Sequence, residues 1–260
     1  MDLGLSGKRA LVLSSSRGLG LGIAQGLAAE GADVMMTARS ADQLQAAAEA
    51  INAQGKGRAH TFASELAGRV ELIYKAAVEA LGRIDILIAN TGGPPARTAF
   101  LVKPEEWTPQ FEAMVTPIFH LASLVLPPMR ERGWGRLITV ASSGVIQPIP
   151  NLAISNALRS CIVGWSKTLA SEVARDGVTV NLILPGRIAT DRTAELDAAN
   201  AKAQGKSVEE VAAAARAQIP AGRYGRVQEF ADVVCFLASE RASYVTGGMI
   251  RVDGGMIRSV

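Results

Sequence analysis

Gly7–Ala24 reads GKRALVLSSSRGLGLGIA, and its reading decides the fold. The apolar run Arg9–Ser14 (RALVLS) reads as a buried strand, and Leu19–Ala29 repeats apolar residues at helical spacing. Between them, Ser14-Ser15-Ser16-Arg17-Gly18-Leu19-Gly20 turns the chain from one element into the other. A tight strand-to-helix turn aims backbone N–H groups and the helix dipole at a pyrophosphate. Glycine is needed where the backbone approaches the phosphate or takes a positive φ. A lone Gly-x-Gly is weak evidence; directly after a first strand it carries more.

The same alternation continues outward. Strands are expected at Val34–Ala38, His60–Ala63, Ile84–Ala89, Leu137–Ala141, Val178–Leu184 and Met249–Val252, with helical patterns between them. Continuously apolar strands separated by helices imply a parallel sheet covered on both faces. The expected fold class is α/β, a doubly wound, seven-stranded parallel sheet with its ligand at the carboxyl ends of the strands. Residues 1–260 read as one domain. Thr193–Ala217, rich in Ala, Glu, Lys and Arg, stands apart as two surface helices. An insertion at about 191–218 sits where a lid over the cleft would sit; a plain solvated insertion is the alternative.

Composition narrows the function classes. Apolar residues make up 48% and charged residues 20% of the 260, ordinary for a globular protein. The net charge of +3 comes from basic residues interleaved with acids, so no nucleic-acid footprint is read. His60 and His120 are the only histidines and no CxxC is present, which argues against a metal site. Cys161 and Cys235 lie in apolar helical patterns and read as buried free thiols of a reducing compartment. Met1–Gly7 lacks the signature of a signal peptide, and no apolar run reads as a membrane span. A cytoplasmic protein without a membrane partner is expected.

Further motifs carry a resemblance. Gly7–Ala24 resembles the opening of short-chain dehydrogenases/reductases, whose turn is Thr-Gly-x-x-x-Gly-x-Gly; Gly18 and Gly20 match, while Leu13 and Ser14 stand for the Thr and first Gly. Ile86–Gly92 (ILIANTG) resembles the family's Asn-Asn-Ala-Gly segment, with Asn90 and Gly92 retained. Pro185-Gly186-Arg187-Ile188-Ala189-Thr190 resembles its Pro-Gly-x-x-x-Thr turn. Ile219–Gly225, Phe236–Ser239 and Val252–Gly255 resemble the closing segments, most like 3-oxoacyl-[acyl-carrier-protein] reductases. The resemblance implies a Rossmann-type fold and a dinucleotide held by Ser14, Ser16, Arg17, Gly18, Leu19, Gly20, Asn90, Gly92, Pro185 and Gly186. Ile188 and Thr190 inherit the nicotinamide carboxamide. After the second strand, Thr37-Ala38-Arg39-Ser40 holds no acid for a ribose 2′-hydroxyl. Arg39 with Arg17 suits a 2′-phosphate, so NADP(H) is expected ahead of NAD(H).

The family's chemistry moves a hydride between nicotinamide and a carbonyl or alcohol, with a Tyr as acid/base, a Lys on the ribose, a Ser on the carbonyl and an Asn on a relay water. Ungapped alignment on Gly135–Thr139 and Gly164–Glu172 puts that Ser on Ser142, the Tyr on Ser155, the Lys on Arg159 and the Asn on Met114. A rival register with Leu152 on the Tyr and Asn156 on the Lys needs a gap on each side. Ser155 is shorter than a phenol and a far weaker acid; Arg159 keeps a cation for the ribose but is no proton donor. Loss of the acid alone removes on the order of 10²–10⁴-fold in rate. Ser142, Ser155 and Arg159 are the catalytic candidates, with a bound water or Tyr224 as substitute proton source; Tyr224 reads better as a packed rim residue, His120 as a helix-surface residue and Met114 as repacked core.

Two functions follow. One is an NADP(H)-dependent oxidoreductase of a small carbonyl or alcohol with altered acid/base groups. The other is a nucleotide-binding regulatory or scaffold protein without redox chemistry. Leu13 and Ser14 leave open a third, in which the turn does not grip a dinucleotide. Pro94, Pro95, Gln147 and Pro148 are expected to rim the cleft. Apolar residues on several faces of the helix after Ser155 (Ile162, Val163, Trp165, Leu169, Val173) give, by fold analogy, a homodimer or homotetramer.

Overall fold

The computed structural model describes residues 2–259; Met1 and Val260, the ends of the expected domain, lie outside them. Seven parallel strands form one sheet in the order β3-β2-β1-β4-β5-β6-β7. They are β1 (Arg9–Val12), β2 (Asp33–Ala38), β3 (Ala59–Ala63), β4 (Ile86–Ala89), β5 (Gly135–Val140), β6 (Val178–Pro185) and β7 (Met249–Val252). The helices are α1 (Gly18–Ala29), α2 (Ala41–Asn52), α3 (Val70–Leu81), α4 (Pro104–Met114), α5 (Thr116–Glu131), α6 (Ala153–Val173), α7 (Asp191–Gln204), α8 (Val208–Ala217) and α9 (Val227–Ala238). The expected doubly wound sheet is present.

Strict alternation builds the two faces. Ala10 and Val12 of β1, Ile86 and Ile88 of β4 and Ile138 and Val140 of β5 pack with α1, α2 and α9. Leu11, Leu87 and Leu137, one step along each strand, pack with α3, α5 and α6. Both faces are buried, so these strands read as continuous apolar runs. The chain goes from β3, on one side of β1, to β4 on the other. That reversal opens a crevice at the carboxyl ends of β1 and β4, where such folds bind ligands.

The first strand ends at Val12, earlier than the expected Ser14, because Ser14 takes φ 50° and turns the chain out of the sheet. α1 then presses on α9: a Cβ on Gly22 would lie 2.1 Å from Val227 Cγ1, and one on Gly26 2.9 Å from Cys235 Sγ. Cys235 is buried as expected, and burial pushes its thiol up to about 12. Cys161 is exposed, contrary to expectation, because it sits on the outward side of α6, beside the inward Ile162.

α4 and α5 run on as a 28-residue stretch, Pro104–Glu131, with a window of mean hydropathy 1.2. By length and composition alone it is long enough to cross a membrane, which corrects the reading that no run reaches that length. Of that window 44% is buried inside the protein, with Leu121, Val125 and Met129 in the sheet core, so the fold accounts for its apolar character.

Candidate active site

The crevice widens into a cleft of about 960 Å³ over the carboxyl ends of the strands. Ser14, Arg17, Gly18 and Leu19 enter it from the turn after β1, and Arg39 from the end of β2. Asn90, Thr91 and Gly92 follow β4, and Ser142 follows β5. Ser155 and Arg159 come from α6, and Pro185, Gly186 and Thr190 from the end of β6.

The turn is built by backbone contacts. Ser15 is buried; its hydroxyl donates to Val12 O at 2.9 Å and accepts from Thr37 N at 3.0 Å, tying the turn to β2. Gly18 has φ 58°, natural for glycine and strained for a side chain. Ser14 shares that left-handed region at φ 50°. Its carbonyl accepts from Asn90 Nδ2 at 3.3 Å, which fixes the turn to the end of β4. A Cβ on Gly20 would lie 2.2 Å from that same carbonyl, so only glycine fits there. No side chain caps the start of α1, leaving its first N–H groups to a ligand. Ser16 is half-buried on the turn, and neither it nor Gly20 reaches the cleft wall.

Two expected binding residues sit differently. Ile188 is buried in the core, its side chain against Gly225, where a Cβ would come within 2.6 Å of Ile188 Cδ1. Its side chain therefore does not line the cleft. Arg17 pairs with α7, its Nη1 3.5 Å from Asp191 and 3.4 Å from Glu195. The cause is local: Thr190 caps α7, accepting from Thr193 N at 3.3 Å, and packs near Gly18, so the first turn of α7 overhangs Arg17. Arg39 is exposed and has no ion pair among the described residues.

On α6, one face meets the cleft through Leu152, Ser155 and Arg159. Asn156 points away, donating to Ile149 O at 3.0 Å. The ungapped register brings Ser142, Ser155 and Arg159 to the cleft but not Met114, and the rival brings Leu152 there but not Asn156. Arg159 is buried at 7% exposure. It donates to Val140 O at 2.8 Å from Nη1, and from Nη2 to Thr91 O at 3.4 Å and Gly92 O at 3.3 Å. Burial pushes its guanidinium down to about 10, so it stays charged at neutral pH. No carboxylate pairs with it among the described residues. Ser142 Oγ accepts from Gly144 N at 3.0 Å, which leaves its own proton free to donate. Ser155 is buried at the cleft wall.

Met114 is buried among Ile118, Ile154 and Leu158, as core. Tyr224 is tied up elsewhere: its hydroxyl donates to Asp197 Oδ2 at 2.7 Å, and burial raises its pKa. It does not line the cleft, so it offers no replacement for the phenol. His120 lies on the surface of α5, 3.8 Å from Glu71. Pro94, Gln147 and Pro148 rim the cleft, and Pro95 does not. Among the described residues no cluster could hold a metal ion.

The reading from sequence missed Thr91, Arg192 and Arg258, which also line the cleft. Thr91 is 6% exposed and its hydroxyl has no partner among the described residues. Its signal was legible, since it replaces the small third residue of Asn-Asn-Ala-Gly. Arg258 carried no local signal.

A family model described as enoyl-(acyl carrier protein) reductase matches residues 13–257. The 3-oxoacyl-[acyl-carrier-protein] reductase of Escherichia coli is 37% identical over 256 residues, covering 98% of this chain and 99% of that protein. The chain belongs to the short-chain dehydrogenase/reductase family. Among solved structures of this family, L-sorbose reductase from Gluconobacter frateurii, complexed with NADPH and L-sorbose, superposes with a TM-score of 0.94 at 34% identity, covering all of both chains. A single-residue variant of the actinorhodin polyketide ketoreductase with NADPH gives 0.90 at 31%, covering 97% of this chain and 98% of that one. This short-chain dehydrogenase/reductase is thus of the oxidoreductase type, similar to reductases whose structures hold NADPH.

Proposed function

We propose that the chain is an NADP(H)-dependent oxidoreductase that interconverts a small carbonyl and its alcohol, with altered acid/base groups. The observation that carries this reading is the cleft itself, where the glycine turn, Arg39 and Arg159 meet one space. The residues fit a dinucleotide. Gly18 leaves the backbone bare at the cleft, and among the described residues no side chain caps the start of α1. Arg39, with no acid beside it after β2, favours a 2′-phosphate over a free 2′-hydroxyl. Ser14, Asn90, Pro185, Gly186 and Thr190 line the remaining contour.

When bound, the nicotinamide supplies or accepts the hydride. The chain's own groups handle the oxygen. The free proton of Ser142 Oγ donates to the carbonyl and polarises it. Arg159 places a buried positive charge at the ends of β4 and β5, which favours negative charge developing on that oxygen. Ser155 is too weak an acid to complete the transfer, so water delivers the proton and the reaction is slow by the standard of the phenol-bearing family. α7 and α8 act as a lid, since Arg192, Leu196 and Gln218 reach the cleft from them and the residue that follows. The assembly is a homodimer or homotetramer in the cytoplasm, and sedimentation of the purified chain at several concentrations tests the first point.

Calorimetric titration with NADPH and NADH tests the cofactor. NADPH binding at about micromolar Kd or tighter, with much weaker NADH, is expected; no NADPH binding, or NADH bound as tightly, sinks the reading. A carbonyl panel with a Tyr-x-x-x-Lys relative as control tests the reaction. The replaced Tyr, Lys and Asn favour a second reading, a nucleotide-binding protein without turnover. Cofactor-dependent turnover lost in Arg159→Ala overturns it.

A further inference from the structure

α7 does not have the pattern of a helix held by apolar packing. It is solvated along most of its length, and only Asp197 and Ala201 are buried. Among the described residues, its one substantial packing partner in the helices and strands is α8, and α8 in turn packs substantially only on α7. A pair of helices that leans so little on the sheet needs another tie to stay over the cleft.

The two ends of this excursion meet at one root. The chain leaves the body through Arg187–Thr190 and returns through Tyr224 and Gly225. Ala189 N donates to Gly225 O at 2.8 Å, and Gly225 N donates to Arg187 O at 2.9 Å. Asp197, nearly two turns into α7, reaches back to that root. Its Oδ1 accepts from Arg187 Nη1 at 2.5 Å and its Oδ2 from the Tyr224 hydroxyl at 2.7 Å. Arg187 Nη1 also donates to the Tyr224 hydroxyl oxygen at 3.4 Å, so the three groups close a ring. Aspartate is a poor residue for a helix interior, and a carboxylate is costly to bury unless it is paired. Asp197 is 3% exposed, so these bonds account for its place where packing does not.

The residues beside it face the other way. Leu196 and Glu195 line the cleft, so the side chain that turns to the root fixes which side of α7 covers the site. The other ionic tie of α7 to the body runs from Arg17 to Asp191 and Glu195. Both of its sides are exposed, and such pairs are weak. We propose that Asp197 is a positioning residue: through Arg187 and Tyr224 it pins the lid over the cleft and so sets how fast the cofactor enters and leaves. This deepens the function proposed above and rests on its assignment of α7 and α8 as a lid.

Amide hydrogen exchange and stopped-flow NADPH binding on the full chain test it. In Asp197→Asn, residues 191–204 should exchange about tenfold faster or more, the range for a lost charged hydrogen bond, while β1, β4 and β5 keep their protection. NADPH release should quicken by about tenfold and its association by about threefold. A loss that merely loosens the fold would not speed association. Tyr224→Phe, which removes one of the two bonds, should shift both readouts the same way by about threefold; it decides the matter if the Asn variant does not fold. Glu209→Gln, which breaks only an ion pair with Arg216 within α8, should change neither. Exchange that is unchanged, or that quickens equally in the strands, overturns the proposal. Faster exchange in 191–204 with NADPH rates as in the wild type overturns it too, because the pin then does not govern the cleft. If the wild-type chain binds no NADPH, the cofactor reading falls, and exchange alone decides whether Asp197 pins the lid.

Discussion

The turn after β1 and the cleft face of α6 both depart from their family's pattern, and with opposite consequences. In the turn, Leu13 is buried in the core and Ser14 adopts the backbone a glycine would take. The geometry survives, because the turn works through backbone N–H groups and any residue able to reach φ 50° supplies them. On α6 the helix places Ser155 and Arg159 at the cleft. There the work belongs to side-chain atoms, so a faithful backbone delivers different chemistry. Substitution costs a backbone site energy; at a side-chain site it changes the chemical groups on offer.

The largest effect should come from restoring the side chains. Ser155→Tyr with Arg159→Lys is expected to raise carbonyl reduction by about 10²-fold or more, the contribution of a positioned acid. Turnover of NADPH against a carbonyl panel measures it; an unchanged rate in a folded double variant would show that α6 is not where the chemistry was lost. On the backbone side, Gly20→Ala puts a Cβ 2.2 Å from Ser14 O and 2.9 Å from Asn90 Nδ2. The turn must open, so NADPH affinity should drop by well over tenfold and stability by about 1–3 kcal/mol, as overpacking does. Wild-type affinity in that variant would break the comparison from the other side.

How far each region was legible follows from the same contrast. The strands could be read because both sheet faces are buried, as Leu11 beside Ala10 and Val12 shows. Gly18 and Gly20 could be read because their demand is local. The positions of Ser142, Ser155 and Arg159 followed from ungapped spacing. What escaped depends on contacts far apart in sequence. Arg17 meets α7 only because Thr190 starts that helix beside Gly18. Ile188 turns inward because Gly225 leaves it room. Arg159 read as a cation for the ribose, and its burial under three carbonyls requires the ends of β4 and β5 together.

Arg39→Ala tests the cofactor half of the cleft at smaller scale. Losing a charge-assisted contact to a 2′-phosphate should weaken NADPH by about tenfold and leave NADH nearly unchanged. Equal loss for both would place Arg39 elsewhere.

The smallest expected effects address the cost of the turn's departures. Glu195→Gln removes one of the carboxylates that hold Arg17, an exposed pair worth under about 1 kcal/mol. NADPH affinity should rise by about twofold to threefold, more at low salt than at high. Ser14→Gly removes the strain itself. A non-glycine residue in the left-handed region costs about 1–2 kcal/mol, while glycine adds unfolded-state freedom worth about 0.5–1 kcal/mol. The two partly cancel, so stability should rise by at most about 1.5 kcal/mol. Because the turn acts through its backbone, NADPH affinity should stay within about twofold of wild type. A clear fall in affinity would mean that the Ser14 hydroxyl itself grips the phosphate, and that the turn, like α6, works through its side chains.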